Sequence, residues 1–151
     1  MKGKNPRFFF QPNELIEGKS QSILKIEAKF HECGEWGGHK EEITVIADNN
    51  YMFYAIYKVY PLNCDSLKHY GYDINYKPIV EKIILLNEMS KKSIVNYIHR
   101  LIESKMTEQF PGNAGNSFLV LNSDSSFVIK VYDEKEFDIL SYNQLVTELT
   151  K

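Results

Sequence analysis

The side chains best suited to chemistry lie close together, within residues 31–42 of this 151-residue chain. His31, Cys33, His39 and Glu41 would share one face of a β-hairpin if Cys33 paired with His39 across the turn between them. Imidazole, thiolate and carboxylate groups are the ligands that zinc takes in proteins. One hypothesis is therefore a metal-dependent or small-molecule-binding enzyme that uses these four residues.

The apolar pattern of the flanking residues argues against that hairpin register. Pairing Cys33 with His39 would set Ala28 opposite Thr44, whereas a slip of one residue sets Ala28 opposite Val45 and brings two apolar faces together. The same slip moves Cys33 and His39 to opposite faces, because side chains alternate along a strand. We therefore expect a polar sheet face that ends in a turn, with no metal and no other cofactor.

The turn itself is predicted to display an anchor for another protein. Trp36 lies between Gly34 and the Gly37-Gly38 pair, where the backbone can bend sharply or let a second chain approach closely. Tryptophan is enriched among the residues that dominate binding energy at interfaces. Glu35 and Trp36 are therefore candidate partner-binding residues, and the alternative is that Trp36 folds back over the sheet edge.

Aromatic residues are abundant, with 10 Tyr, 9 Phe and 1 Trp making up 13% of the chain. Tyrosine gives contact area at low entropic cost and carries a hydrogen-bonding tip. The excess either covers the second face of the sheet or forms a recognition surface. Under the second interpretation, the partner-binding set is completed by His39, Tyr57, Tyr70, Tyr72 and Tyr76.

Charge and hydropathy exclude several classes of partner. The chain has 18 Lys and Arg against 20 Asp and Glu, and neither half is basic. Binding to nucleic acid or to an anionic membrane normally relies on a positive surface, so we expect neither. No apolar run reaches the roughly 20 residues of a membrane span, and no signal peptide is recognisable, so we expect a cytoplasmic protein. Cys33 and Cys64 are then predicted to be reduced thiols.

Hydrophobic periodicity predicts an α+β domain with an antiparallel sheet and helices packed on one face. Residues 1–22 are expected to be irregular, and 23–151 to form a single domain. A meander over 23–60 is followed by a strand at 79–86, a helix at about 90–106, a hairpin of 118–122 with 127–132, and a helix at about 141–150 that opens on Ser141. Residues 137–140 are predicted as a short strand or an extended segment.

These patterns favour a non-enzymatic protein-binding module. The chain lacks the motifs of nucleophilic hydrolases, zinc proteases and phosphate-binding loops. In size, mild acidity and aromatic content it resembles bacterial toxin-neutralising (immunity) proteins, and that resemblance implies binding to a partner protein. Self-association through an edge strand, at 7–11 or 127–132, is a further hypothesis.

Overall fold

The computed structural model describes residues 22–34, 37–47, 52–62, 64, 77–108, 115–122, 125–133 and 136–151. These residues form an antiparallel sheet with two helices packed against it, which confirms the predicted α+β class. Of the predicted irregular segment 1–22, residues 1–21 lie outside the described residues, and Ser22 begins the first strand. The candidate residues Glu35, Trp36, Tyr70, Tyr72 and Tyr76 also lie outside the described residues. The elements in chain order are β1 (Ser22–Lys29), β2 (Lys40–Ala47), β3 (Phe53–Tyr60), β4 (Val80–Leu85), α1 (Glu88–Met106), β5 (Ser117–Asn122), β6 (Val128–Tyr132) and α2 (Phe137–Leu149).

The strands of the described residues follow the order β4-β3-β2-β1-β5-β6. Each of β2, β3 and β4 pairs antiparallel with the strand before it, so the predicted meander is present and continues into β4. The chain then crosses through α1 and returns on the other side of β1 as β5, and β6 closes a hairpin with it. As a result β1 lies at the centre of the sheet, and β4 and β6 lie at its ends.

The register of the first hairpin brings the two apolar faces together, as the alternation predicts. Ile26 lies opposite Ile43, and Leu24 lies opposite Val45. The shift from the metal-favouring register is three residues and runs in the opposite direction to the predicted slip of one, so Ala28 lies opposite Glu41 and its predicted pairing with Val45 is wrong. Within the turn, the Cys33 N–H donates to the Gly37 carbonyl at 2.7 Å. Because side chains alternate along a strand, a shift of three residues places the same side chains on the core face as a shift of one.

Both helices pack on the face of the sheet that carries these apolar residues. In α1, residues Ile94, Ile98 and Leu101 are fully buried at helical spacing, as their periodicity predicts. Tyr97 and Tyr142 are also buried, and their ring centroids lie 6.0 Å apart in an edge-to-face arrangement. No helix among the described residues is long and apolar enough to cross a membrane.

Two helix starts differ from their predicted positions. Helix α1 begins at Glu88 because the Asn87 side chain caps it, accepting from the Ser90 N–H at 2.8 Å, so Ser90 is not the cap. Helix α2 begins at Phe137, so the strand or extended segment predicted at 137–140 is wrong and Ser141 lies inside the helix. A carboxylate from outside the helix accounts for this early start: Asp133 accepts from the backbone N–H of Ile139 at 2.9 Å.

Candidate functional site

A cleft of about 570 Å³ opens where the β1–β2 hairpin ends, between the sheet and the first turns of α2. It combines aromatic, carboxylate, imidazole and amide groups, so a molecule that enters it could make both apolar contacts and hydrogen bonds. The hairpin supplies most of its lining, and β5 and α2 supply the rest. The lining residues are Phe30, His31, Glu32, His39, Glu41, Asn116, Ile139 and Asn143.

His39 is the centre of a hydrogen-bonded network in this cleft. Its Nδ1 lies 2.7 and 2.8 Å from the two carboxylate oxygens of Glu32, and its Nε2 lies 3.0 Å from Glu41 Oε2. The imidazole ring also stacks on Phe30, with ring centroids 4.2 Å apart and planes 2° from parallel. These contacts fix the ring in position and in orientation.

Glu41 connects this network to the interior of the sheet. Its side chain points to the core face and is nearly closed off from solvent, and its Oε1 accepts a hydrogen bond from the Tyr57 hydroxyl. Burial raises the pKa of Tyr57 far above its usual value, and the hydrogen bond and negative charge of Glu41 add to the effect. Burial likewise raises the pKa of Tyr142, with a further contribution from the charge of Glu41. Both tyrosines therefore remain protonated beside a buried carboxylate.

His31 lies on the other side of the cleft and bonds to a different strand. Its backbone N–H donates to Asn116 Oδ1 at 3.2 Å, and its ring Nδ1 lies 2.5 Å from the same oxygen. Asn116 is buried just before β5, and its carbonyl accepts from the Asp133 N–H at 2.9 Å. The side chain of His31 is thereby held against the residue that precedes β5.

Gly38 lets the two sides of the hairpin approach closely at the turn because it has no side chain. A Cβ at this position would lie 2.5 Å from the Phe30 carbonyl oxygen and 2.8 Å from the Glu32 backbone nitrogen. Gly34 and Gly37 adopt positive φ angles of 62° and 87°, a region that glycine enters at little cost. These glycines let Glu32 reach back to His39.

Cys33 and Cys64 form a disulfide, with Cα atoms 5.4 Å apart. The prediction that both are reduced thiols is therefore wrong. The antiparallel path of β2 and β3 returns the chain to the hairpin end, and this brings together two cysteines that are 31 residues apart. The bond joins the turn of the first hairpin to the segment that follows β3.

The four residues of the zinc hypothesis do not converge. Cys33 is in the disulfide, His31 bonds to Asn116, and His39 and Glu41 bond to each other. The described part of the chain contains no group of three or more His, Cys, Asp or Glu side chains arranged to hold a metal ion. The hairpin register is the physical reason for the loss of Cys33 from this set, since it places Phe30 and not Cys33 against His39.

Two of the predicted partner-binding residues, His39 and Tyr57, are described, and they belong to the same network. His39 lines the cleft, whereas Tyr57 is buried and supports Glu41 from the core side. Sequence reasoning missed Glu32, whose place in the 31–42 cluster was a usable signal. It also missed Asn116, for which no local signal exists because the contact with His31 spans 85 residues.

Comparisons with protein families, curated proteins and solved structures found no match to this chain.

Proposed function

We propose that this chain is a non-enzymatic protein-binding module that receives its partner at the cleft beside the β1–β2 turn. One observation carries the proposal: both ring nitrogens of His39 face carboxylate oxygens of the same chain. A histidine that transfers protons to or from a substrate needs a ring nitrogen directed at that substrate. In this site the imidazole instead holds Glu32 and Glu41 in place, which suits a preorganised binding surface.

The chemistry of the cleft fits a partner that supplies hydrogen-bond donors. Its lining includes the carboxylates of Glu32 and Glu41, and no lysine or arginine is among the described lining residues. The Glu32 side chain is 42% exposed, so its oxygens can accept further hydrogen bonds from outside. An arginine or lysine side chain of a partner fits this chemistry, because carboxylates form their strongest hydrogen bonds with cationic donors.

The predicted anchors adjoin this cleft along the chain. Glu35 and Trp36 follow Cys33 in the turn, and Cys64 precedes the tyrosines at 70, 72 and 76. The disulfide thus links the two sequence segments in which partner-binding residues are predicted. A toxin-neutralising (immunity) role is the specific form of the proposal, since an acidic cleft is complementary to a basic surface on another protein.

The disulfide also bears on the compartment in which such a module would work. Disulfides form and persist in oxidising compartments and are rare in the cytosol of mesophilic cells. Cys33–Cys64 therefore weighs against the cytoplasmic location expected from the sequence, and we propose an oxidising compartment as the working environment.

The experiment begins with affinity capture of a partner from the native cell, followed by dissociation constants measured with the purified partner. Glu32→Gln removes one cleft charge while keeping the shape of the side chain. Loss of one charge-assisted hydrogen bond predicts roughly 10- to 100-fold weaker binding. Trp36→Ala tests the predicted anchor in the turn in the same way.

Glu103→Gln is the matched control, because Glu103 is exposed on α1, away from the cleft. It removes the same charge and should leave the dissociation constant unchanged. If a partner binds wild type, Glu32→Gln and Trp36→Ala with equal affinity, the cleft and turn are not its binding site and the proposal fails.

A further inference from the structure

The Cys33–Cys64 disulfide lies directly beside the cleft, next to one of the two carboxylate residues that line it. Glu32 precedes Cys33 in the chain and belongs to the cleft lining. Cys64 belongs to the segment that follows β3, which ends at Tyr60. The disulfide is therefore a covalent link between the turn that carries Glu32 and a second part of the chain.

The noncovalent contacts that hold Glu32 are weak by comparison. Its carboxylate bonds to the His39 ring, but the two side chains are 42% and 25% exposed, and exposed pairs contribute little because water competes for both groups. The backbone hydrogen bonds of the described turn are local: the Gly34 N–H donates to the His31 carbonyl at 2.8 Å, and the Gly37 N–H donates to the Gly34 carbonyl at 3.1 Å. Such bonds shape the turn but do not fix it against the rest of the sheet.

The packing of the sheet and helices does not depend on the disulfide. Among the described residues, the buried core includes neither cysteine, and Cys64 is exposed. At the start of the turn, His31 bonds to Asn116 and anchors the chain to the residue before β5. Opening the disulfide should therefore leave the sheet and helices folded and release the part of the turn that begins at Glu32.

We propose that the Cys33–Cys64 disulfide is a redox switch that completes the cleft. In the oxidised chain Glu32 is held beside His39 and the partner binds, whereas in the reduced chain Glu32 is released and binding weakens. Fixing a binding loop in its bound conformation raises affinity, because less conformational entropy is lost on binding. This inference rests on the proposed function, since it concerns the regulation of the same cleft.

The position of the bond suits such a switch. Exposed disulfides are more readily reduced than buried structural ones, and Cys64 is exposed to an attacking thiol. The switch also agrees with an oxidising compartment as the working environment, because the two thiols join there and the cleft is then complete. In a reducing compartment the same chain would be folded but would bind its partner weakly.

Reduction by a dithiol balances as two exchange steps. One thiolate of the reductant attacks the Cys64 sulfur, the S–S bond breaks, and Cys33 leaves as a thiolate that takes up a proton. The second thiol of the reductant then attacks the mixed disulfide, which releases Cys64 as a thiol and the reductant as a disulfide. Two electrons and two protons pass from the reductant to the two cysteines.

Nuclear magnetic resonance of the full chain, oxidised and after reduction with a dithiol, tests the structural step. The expected result is that the nuclear Overhauser contact between the Glu32 side chain and the His39 ring is lost on reduction, while the amide signals of Ile26 and Ile43 in the sheet keep their positions. If the contact persists in the reduced chain, the disulfide does not control the cleft and the proposal is overturned. Collapse of the sheet signals would overturn it too, because the bond would then hold the whole fold.

Partner affinity before and after reduction tests the functional step. Roughly 10-fold weaker binding is expected on reduction, which corresponds to the ordering of one or two side chains. The Cys33→Ser, Cys64→Ser double variant should bind as weakly as the reduced chain, and the dithiol should not change its affinity, which controls for effects of the dithiol on the partner. If Glu32→Gln weakens binding but reduction does not, the proposed function stands and the switch fails. If neither change weakens binding, the partner does not bind at the cleft and both proposals fail.

Discussion

The Tyr57 hydroxyl on β3 donates a hydrogen bond to the Glu41 carboxylate on β2, within the core face of the sheet. The other carboxylate oxygen of Glu41 faces His39, so one buried acid links the interior to the cleft. A buried carboxylate is costly unless donors surround it. The cleft therefore depends on a tyrosine that does not line it.

Tyr57→Phe is expected to destabilise the fold by about 1–3 kcal/mol, because it leaves a carboxylate oxygen buried with one donor fewer. Urea denaturation monitored by circular dichroism measures this free energy of unfolding. Tyr54→Phe removes a hydroxyl from the same strand on the opposite face, and it should cost much less. If both variants lost the same free energy of unfolding, the hydrogen bond between Tyr57 and Glu41 would contribute no more than an ordinary hydroxyl group on this strand.

Removal of the disulfide by Cys33→Ser with Cys64→Ser is expected to lower the free energy of unfolding by about 3–4 kcal/mol. The physical reason is that cross-linking residues 31 apart restricts the unfolded chain, and the restriction grows with loop length. Denaturation of wild type with and without a reducing dithiol gives the same comparison without mutation. The double variant serves as its own control, since the dithiol should not change its stability.

The free energy of unfolding should fall in acid, and protonation of Glu27 should account for part of that fall. Burial opposes ionisation of this carboxyl, but the Lys25 hydrogen bond and the nearby Lys40, Lys25 and Lys29 charges outweigh it and lower its pKa. A lowered folded-state pKa gives stability that is present above the unfolded value of about 4.3 and is lost as pH falls through the folded value. The difference between wild type and Glu27→Gln should therefore be largest near pH 7 and shrink below about pH 4.

Denaturation curves at a series of pH values measure that difference. Glu103→Gln, an exposed position on α1, provides the comparison and should track wild type throughout. If the difference in free energy of unfolding between wild type and Glu27→Gln stayed constant from pH 7 into the acid range, the assignment would be contradicted. Wild type should lose the charge of Glu27 in acid, whereas the variant has no charge at that position to lose.

Asn87→Ala should destabilise the protein by about 1 kcal/mol, since it removes the side chain that caps α1. The same substitution at Asn96, exposed within α1, should be neutral or slightly stabilising because alanine favours the helix interior. Thermal unfolding of the two variants distinguishes capping from helix propensity. A larger loss at Asn96 than at Asn87 would exclude the cap.

Local patterns were sufficient to predict the framework of the fold. The alternation of Leu24, Ile26 and Ala28 predicted β1 and its buried face, and the spacing of Ile94, Ile98 and Leu101 predicted α1. The predicted start of α2 at Ser141 was wrong because the carboxylate that caps the helix belongs to Asp133, which lies outside the helix. Periodicity reports which side of an element is buried, but it does not report contacts made from other elements.

By itself, the sequence determined the class of fold, the core faces and the fact that the hairpin register differs from the metal-favouring one by an odd number of residues. Each of these follows from side-chain periodicity within one or two neighbouring elements. Tertiary structure alone decided the size of the register shift, the Cys33–Cys64 disulfide and the bond between His31 and Asn116. Those contacts join residues far apart in the chain, and they depend on where the sheet returns each strand. For this reason the cluster at 31–42 was visible as a site in the sequence, whereas its division into a His39 network and a separate His31 contact was not.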